Sequence, residues 1–467
     1  MTWTRRHLLL VAASSAVAGT VPWRAQARPS AGESSGLPVT PLQLLAAPVF
    51  NDQVLFALGG ASSQTAEVGE VLRIAQVIRA RSGNPSDPPT AAFDALVEAF
   101  GSAGDRLEQL AEQASAHPVT SRHRWFRAAT CAAQQLFFVL GSGDGAREEA
   151  LFASAQRRWL QAIRLLEPRV ERFVVASRFG ELPVTFFPAP GGSGARPTVL
   201  ISEGSDGQNV ETMQFGVTAA LARGYNVVLF EGPGQMSLLF QRQIPFTPDW
   251  DQVVGPVLDA VRQRSDVGRV ALIGISFGGM LCARAAAALS GLDAVVFEPA
   301  AWSFAPLWGD QTSMAAVQRS QGAGSREQQQ VRRQVNAGLQ AAWPSLSPTE
   351  RFQIHKRGEI FSRQVLLEAR AGQPPSDYYG LLEAMLPFDF RSDWQRIRIP
   401  SLVLANQGDW AFADQSEQAF ALLTALPPSQ KRLVRLTAAE GASLHDQPVG
   451  AQVAEEIVFD WLDEQLR

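Results

Sequence analysis

Cysteine is almost absent from this chain. Two occur in 467 residues, Cys131 and Cys282, and both fall in alanine-rich helical patterns. They read as small buried side chains and leave no disulfide framework. Histidine is also sparse, five in all. No Cys/His cluster has zinc spacing and no His-Glu-x-x-His occurs, so neither a metal nor a cofactor is expected. Basic runs interleaved with aromatics are missing too, and the net charge is −4. Nothing therefore points to nucleic acid. What is present, 46% hydrophobic and 18% charged residues, suits a globular protein. The length exceeds one ordinary core, so two domains or one elaborated domain are expected.

Residues 1–27 read as a targeting segment. Arg5-Arg6 precedes the apolar run 8–21, and Ala25-Gln26-Ala27 has the form of a cleavage site. The run is too short, and too rich in Ala, Ser and Gly, for a comfortable membrane span. The expectation is twin-arginine export of a folded protein to the periplasm or beyond. No stable membrane insertion is expected after processing. Residues 28–63 read as linker and lead-in. From 64 to 167 apolar residues recur at helical spacing, with breaks at Asn84-Pro85, His117-Pro118 and Gly141-Ser142-Gly143, which predicts four amphipathic helices.

The period changes at Val170. Short apolar runs occur at 172–176, 182–187, 197–202, 226–230, 269–275, 294–297, 401–405 and 432–437. Helical patterns lie between most of them, at 211–223, 250–264 and 277–290, and a last one covers 449–466. A leading hairpin followed by strand–helix alternation predicts a mostly parallel sheet with an antiparallel edge. Eight strands in this order match an α/β-hydrolase core over 168–301 and 393–467. The segment 302–392 interrupts it as a helical insertion, where a lid over the ligand crevice belongs.

The run 269–275 leads into Gly274-Ile275-Ser276-Phe277-Gly278-Gly279 and then an Ala- and Leu-rich helix. That order is what a nucleophile elbow needs: a buried strand, a tight turn holding Ser276, and a helix start. A serine hydroxyl requires a histidine base, an acid to hold that base, and N–H groups for the oxyanion. Of the five histidines only His355 and His445 follow Ser276. His355 falls in the insertion, and His445 follows the last strand, where the base belongs. Asp409 is the first carboxylate after the seventh strand and the expected acid, with Asp414 and Glu298 as alternatives. The oxyanion hole takes the N–H of Phe277 and, from the loop after the third strand, that of Ser205. Asp206 beside it is unusual. A carboxylate there must be protonated, paired or working as an acid. Otherwise it caps a helix beginning near Val210.

Phe230-Glu231-Gly232-Pro233-Gly234-Gln235 resembles the D-G-P-G-Q segment of one α/β-hydrolase branch. That branch includes 2,6-dihydroxypseudooxynicotine hydrolase and fungal hydrolases that shorten polyketide chains. Gly274 to Gly279, Gly408-Asp409 and Gly441 to His445 fit it as well, so the resemblance covers about 64–467. It implies hydrolysis of a C–C bond beside a ketone in an aromatic or polyketide-like compound. It also implies a carboxylate after the third strand that assists, a position Asp206 matches in type. Three departures stand out: Glu231 for the usual Asp, Ser205 for a bulkier apolar residue, and Asp446-Gln447 rather than Cys after His445. A carboxylesterase, an acylaminoacyl-type peptidase and a non-catalytic binding protein remain alternatives. A small molecule is the expected partner, and a homodimer is allowed.

Overall fold

The computed structural model describes residues 42–191, 194–412 and 414–467. The expected signal at 1–27 lies outside them. Eight strands form one sheet: β1 (Glu171–Ser177), β2 (Gly180–Phe187), β3 (Arg196–Ser202), β4 (Asn226–Phe230), β5 (Val267–Ile275), β6 (Ala294–Glu298), β7 (Ser401–Asn406) and β8 (Lys431–Leu436). Their spatial order is β1-β2-β4-β3-β5-β6-β7-β8. The pairs β1–β2 and β2–β4 are antiparallel and every later pair is parallel. Strands β4, β6 and β7 are buried along their whole length, as continuous apolar runs in a doubly covered parallel sheet must be. The edge strands β1 and β8 are mostly exposed or half-buried.

Alternation sorts the two faces. Leu200, Val228, Leu272 and Val295 join one apolar cluster, while Val199, Ile201, Val227 and Ile273 join the other. Five helices precede the sheet: α1 (Pro48–Gly59), α2 (Val68–Ser82), α3 (Thr90–Gln113), α4 (Pro118–Phe138) and α5 (Glu148–Ile163). Between strands run α6 (Val217–Ala222), α7 (Met236–Phe240), α8 (Asp251–Arg262) and α9 (Phe277–Ala288). Apolar residues of α8 and α9 belong to the first cluster and those of α6 to the second. Between β6 and β7 come α10 (Gln311–Ser320), α11 (Ser325–Ala342), α12 (Pro348–Gly358), α13 (Arg363–Arg370), α14 (Tyr378–Met385) and α15 (Arg391–Trp394). The chain closes with α16 (Gln415–Leu422) and α17 (Ala451–Leu466).

Two local readings change. The span taken as linker and lead-in contains α1, a helix apolar around most of its circumference that buries Val49, Phe50, Val54 and Leu55. The helix expected over 211–223 is broken. A single 3-10 turn, Glu211–Met213, precedes α6, and Gly216 stands between them at φ +119°, which a helix does not admit. Cys131 and Cys282 are free and buried. No helix among the described residues is long and apolar enough to cross a membrane.

The helical segments on either side of the core are packed together. Phe138 of α4 meets Phe50 of α1 at 5.2 Å and stacks on Phe352 of α12 at 5.9 Å. Arg370 of α13 donates to Glu148, the first residue of α5, at 2.8 Å. Glu148 and Phe138 are both fully buried. Replacing Phe138 by Ala should therefore lower unfolding stability by about 3–5 kcal/mol. Val174→Ala, on exposed β1, should stay within about 0.5 kcal/mol. Urea denaturation of the two variants checks the contrast.

Candidate active site

Ser276 stands between the last residue of β5 and the first of α9, at φ +51° and ψ −123°. That left-handed conformation is costly for a residue with a Cβ. Two things hold it. The Ser276 N–H donates to the Glu298 carbonyl at 2.8 Å, and neighbouring backbone leaves no room to relax. A Cβ on Gly278 would strike the carbonyl oxygen of Ser202, and one on Gly204 would lie 2.7 Å from Ser276 Cβ and 3.1 Å from Phe277 N. Glycine at both positions lets the loop after β3 press on the serine turn. The Phe277 N–H opens a helix whose first N–H groups and dipole face the turn, and Ser205 follows directly on Gly204.

His445 arrives from a loop fixed by Asn406 at the end of β7. The Asn406 amide donates to the carbonyls of Ala442 (3.1 Å) and Leu444 (2.8 Å). His445 Nε2 lies 2.9 Å from Ser276 Oγ, and its Nδ1 lies 3.0 Å from Asp409 Oδ1. The same Asp409 oxygen accepts from the N–H groups of Ala411 and Phe412, each at 2.8 Å. A carboxylate oxygen only accepts, so in the neutral ring Nδ1 carries the proton and the Nε2 lone pair faces the serine. Of the three candidate acids, Asp409 is the one within hydrogen-bond distance of the ring. Asp414 precedes α16, and Glu298 meets Ser276 through its main chain. His355 is elsewhere, bonded to the Gln373 carbonyl at 2.8 Å.

Burial of His445 disfavours its charged form, but the carboxylates of Asp446 and Asp409 outweigh it and raise the imidazolium to about 9. Trp410 and Phe412 pack on the ring, with centroids at 5.8 and 5.2 Å.

The serine faces a cavity of about 210 Å³. Its walls come from every part of the chain: Gln53 and Phe56 on α1, Phe137 on α4, Phe304 and Trp308 at the start of the insertion, and Trp410 after β7. Under them Phe277 lies in an aromatic nest, 4.9 Å from Phe246 and 5.7 Å from Phe388.

The cavity also holds an uncommon set of acids. Burial pushes Glu203 well above the usual carboxylate range and Glu211 up to about 7. Asp206 behaves differently. Its burial acts upward, but the charges of Arg357 and Lys356, with hydrogen bonds from Arg357 and Ser205, bring it below the ordinary value. Asp206 is thus the paired carboxylate of the readings open for it, and it caps no helix.

Sequence reasoning missed three contributors. Arg357 pairs with Asp206 from α12, across 151 positions. Gln235, inside the Gly-Pro-Gly-Gln element, accepts from Gly232 N–H at 3.0 Å and donates to the carbonyls of Glu203 and Gly204, so it braces the loop over the serine. Its motif was visible, although its task was not. Glu231, the departure from Asp, accepts from Gln156 of α5 at 3.1 Å, Asn209 at 2.9 Å and Ser237 N–H at 3.0 Å. No group of His, Cys, Asp and Glu among the described residues is arranged to hold a metal ion.

The sequence model of the Alpha/beta hydrolase family matches residues 207–454. Among curated proteins, Alpha/beta hydrolase psoB of Aspergillus fumigatus is 29% identical over 266 residues, covering 52% of this chain and 57% of that protein. The 20-hydroxy-prefusarin hydrolase FUS2 of Gibberella moniliformis is 30% identical over 256 residues, covering 52% and 59%. The chain thus spans somewhat under 60% of the length of these relatives. The solved structure of 2,6-dihydroxy-pseudo-oxynicotine hydrolase superposes with a TM-score of 0.58 at 17% identity, over 87% of this chain and 95% of the other. That superposition shares the fold, with helices before the sheet included. With more than half its length under the family's pattern and its relatives hydrolases by name, the chain belongs to the alpha/beta hydrolase family of enzymes.

Proposed function

We propose that the protein is a serine hydrolase that cleaves a C–C bond beside a ketone in an aromatic or polyketide-like compound. Ser276 is the nucleophile, His445 its base, and Asp409 the acid that orients the ring. The N–H groups of Phe277 and Ser205 receive the oxyanion. The observation that carries this reading is the unbroken hydrogen-bond chain from Asp409 Oδ1 through both ring nitrogens to Ser276 Oγ. The aromatic walls favour a flat apolar substrate, and the names of the relatives are consistent with one.

The reaction begins when Oγ bonds the carbonyl carbon as its proton passes to Nε2. Negative charge then develops on the carbonyl oxygen, where prearranged N–H dipoles stabilise it. Collapse releases the first product and leaves an acyl-serine, which water hydrolyses with His445 again as base. Ester hydrolysis needs the same three residues and no more, so it is the second reading. We also propose that the leader directs export by the twin-arginine route. N-terminal sequencing of secreted protein, with a start near residue 28, checks that.

Ser276→Ala should lower kcat by about 10⁴-fold or more on any substrate and abolish labelling by a fluorophosphonate. Asp409→Asn should cost about 10⁴-fold in kcat, with folding intact, because Asn favours the wrong ring tautomer. The active form of His445 is neutral, so protonation inactivates. Because the folded pKa is raised, the ester rate should climb with pH through a limb displaced from the ordinary histidine range toward about 9. A pH profile of p-nitrophenyl ester hydrolysis measures that limb.

A further inference from the structure

A carbon leaving group departs with an electron pair and needs a proton delivered to carbon. The cavity acids differ in their ability to give one. Asp206 is held ionised by Arg357. Glu211 accepts from Gln208 N–H at 2.8 Å and from the Gln134 amide at 3.2 Å, so its carboxylate braces its own turn. Glu203 stands beneath Gly207, where a Cβ would strike its Oε1.

Asp446 stands apart from these. It follows His445 directly, is 5% exposed and lines the cavity. Its Oδ2 lies 3.5 Å from His445 Nε2, the nitrogen that faces Ser276 Oγ at 2.9 Å. Its Oδ1 is buried with no hydrogen-bond partner, as are Glu203 Oε2 and Asp206 Oδ1, so the approach to Nε2 is what separates Asp446 from them. Asp446 and Gln447 are successive residues at φ +54° and +45°. L-residues adopt that conformation at a cost, and such cost collects at functional sites. Asp409 already orients the ring, so this second carboxyl on its reactive edge is not needed for that.

We propose that Asp446 is the proton relay between His445 and the departing carbon, and that the substrate is a ketone whose leaving half is a stabilised carbanion, as in a β-diketone. This rests on Ser276 as nucleophile and on a C–C bond as target. The shared proton of the pair rests on His445, raised to about 9 against about 7 for Asp446. The cycle runs through the form in which that proton has moved to Asp446 and left Nε2 bare. Ser276 Oγ bonds the carbonyl carbon while its proton passes to Nε2. The adduct collapses, the C–C bond breaks, and the electron pair leaves on carbon. Asp446 gives its proton to that carbon. The new carboxylate then takes the proton from the imidazolium, which restores neutral His445 for deacylation. Water attacks the acyl carbon, its proton passes through Nε2 to Ser276 Oγ, and a carboxylic acid departs. One water is consumed and no redox step occurs.

The charges around the pair support this sharing. Toward Asp446 face Asp409 from the loop after β7, Asp206 and Glu203 from the loop after β3, and Glu298 from the end of β6. Arg357 of α12 and Asp52 of α1 act on His445. Burial, with Asp409 and Asp206, pushes the Asp446 carboxyl up to about 7, against the opposite pull of His445 and the Ser276 N–H.

The probes are 1-phenylbutane-1,3-dione and p-nitrophenyl butyrate, because nitrophenolate leaves without a proton. In Asp446→Asn the ketone-to-ester rate ratio should fall by about 100-fold or more. The ester limb should move to lower pH, since His445 loses a facing negative charge. In the unaltered enzyme the ketone rate should decline in the alkaline range as the pair loses its last proton, while the ester rate holds. An unchanged ratio in Asp446→Asn, or equal loss on both substrates, overturns the relay. Where that variant takes no fluorophosphonate label, the unaltered enzyme decides: parallel alkaline limbs overturn the relay. An enzyme that hydrolyses the ester but not the diketone overturns the C–C reading, and diketone cleavage by Ser276→Ala overturns the nucleophile.

Discussion

At Ser276 backbone lies directly on backbone, and the site is built outward from that contact. Gly278 accepts the end of β3 and Gly204 accepts the serine turn, at separations that no Cβ permits. The loop after β3 cannot move off while Gln235 donates to its Glu203 and Gly204 carbonyls. Gln235 is itself fixed by Gly232. Glu231 in turn joins that turn to Asn209 and to Gln156 in the leading helices. Distortion of the serine is thus opposed by three successive layers joined by hydrogen bonds, which hold the backbone dipoles at the turn in place.

Charge follows the same economy of position. The chain puts four acids, Glu203, Asp206, Glu211 and Asp446, around a small apolar cavity. Buried carboxylates repel one another and lose water, so they tend to keep protons. Arg357 releases one of them, Asp206, from that tendency. The carboxylates of Asp446 and Asp409 favour positive charge on His445 and hold its imidazolium well above the ordinary histidine range. The same field makes the resting base harder to free of its proton.

Much of this was legible in order along the chain. Strands buried on both faces leave uninterrupted apolar runs, and a serine turn, an acid turn and a final histidine must follow strands five, seven and eight. Asp409 was readable because it is the first carboxylate past its strand. The identity of Asp206's partner was not, because an ion pair across 151 positions leaves no local trace. Asp446 was visible only as a departure from the expected residue, since nothing in its neighbours gives its distance to Nε2. Helix α1 was passed over because the apolar spacing of Val49 to Leu55 is short and sits among turn formers. Gly216 broke a helix that periodicity alone would continue.

The cavity wall contributed by α1 and α4 sets what counts as one unit of this enzyme. Gln53, Phe56 and Phe137 bound the same space as Ser276, and Phe56 packs 5.9 Å from Phe215 in the sheet domain. The eight strands and their flanking helices hold Ser276, His445 and Asp409, but they do not enclose the space above them. A fragment starting at the sheet would carry the reactive groups into open water and expose a phenylalanine-lined face. The helices ahead of the sheet are therefore part of the cavity itself, and the space beside Ser276 takes its shape in part from Gln53 and Phe56, far earlier in the chain.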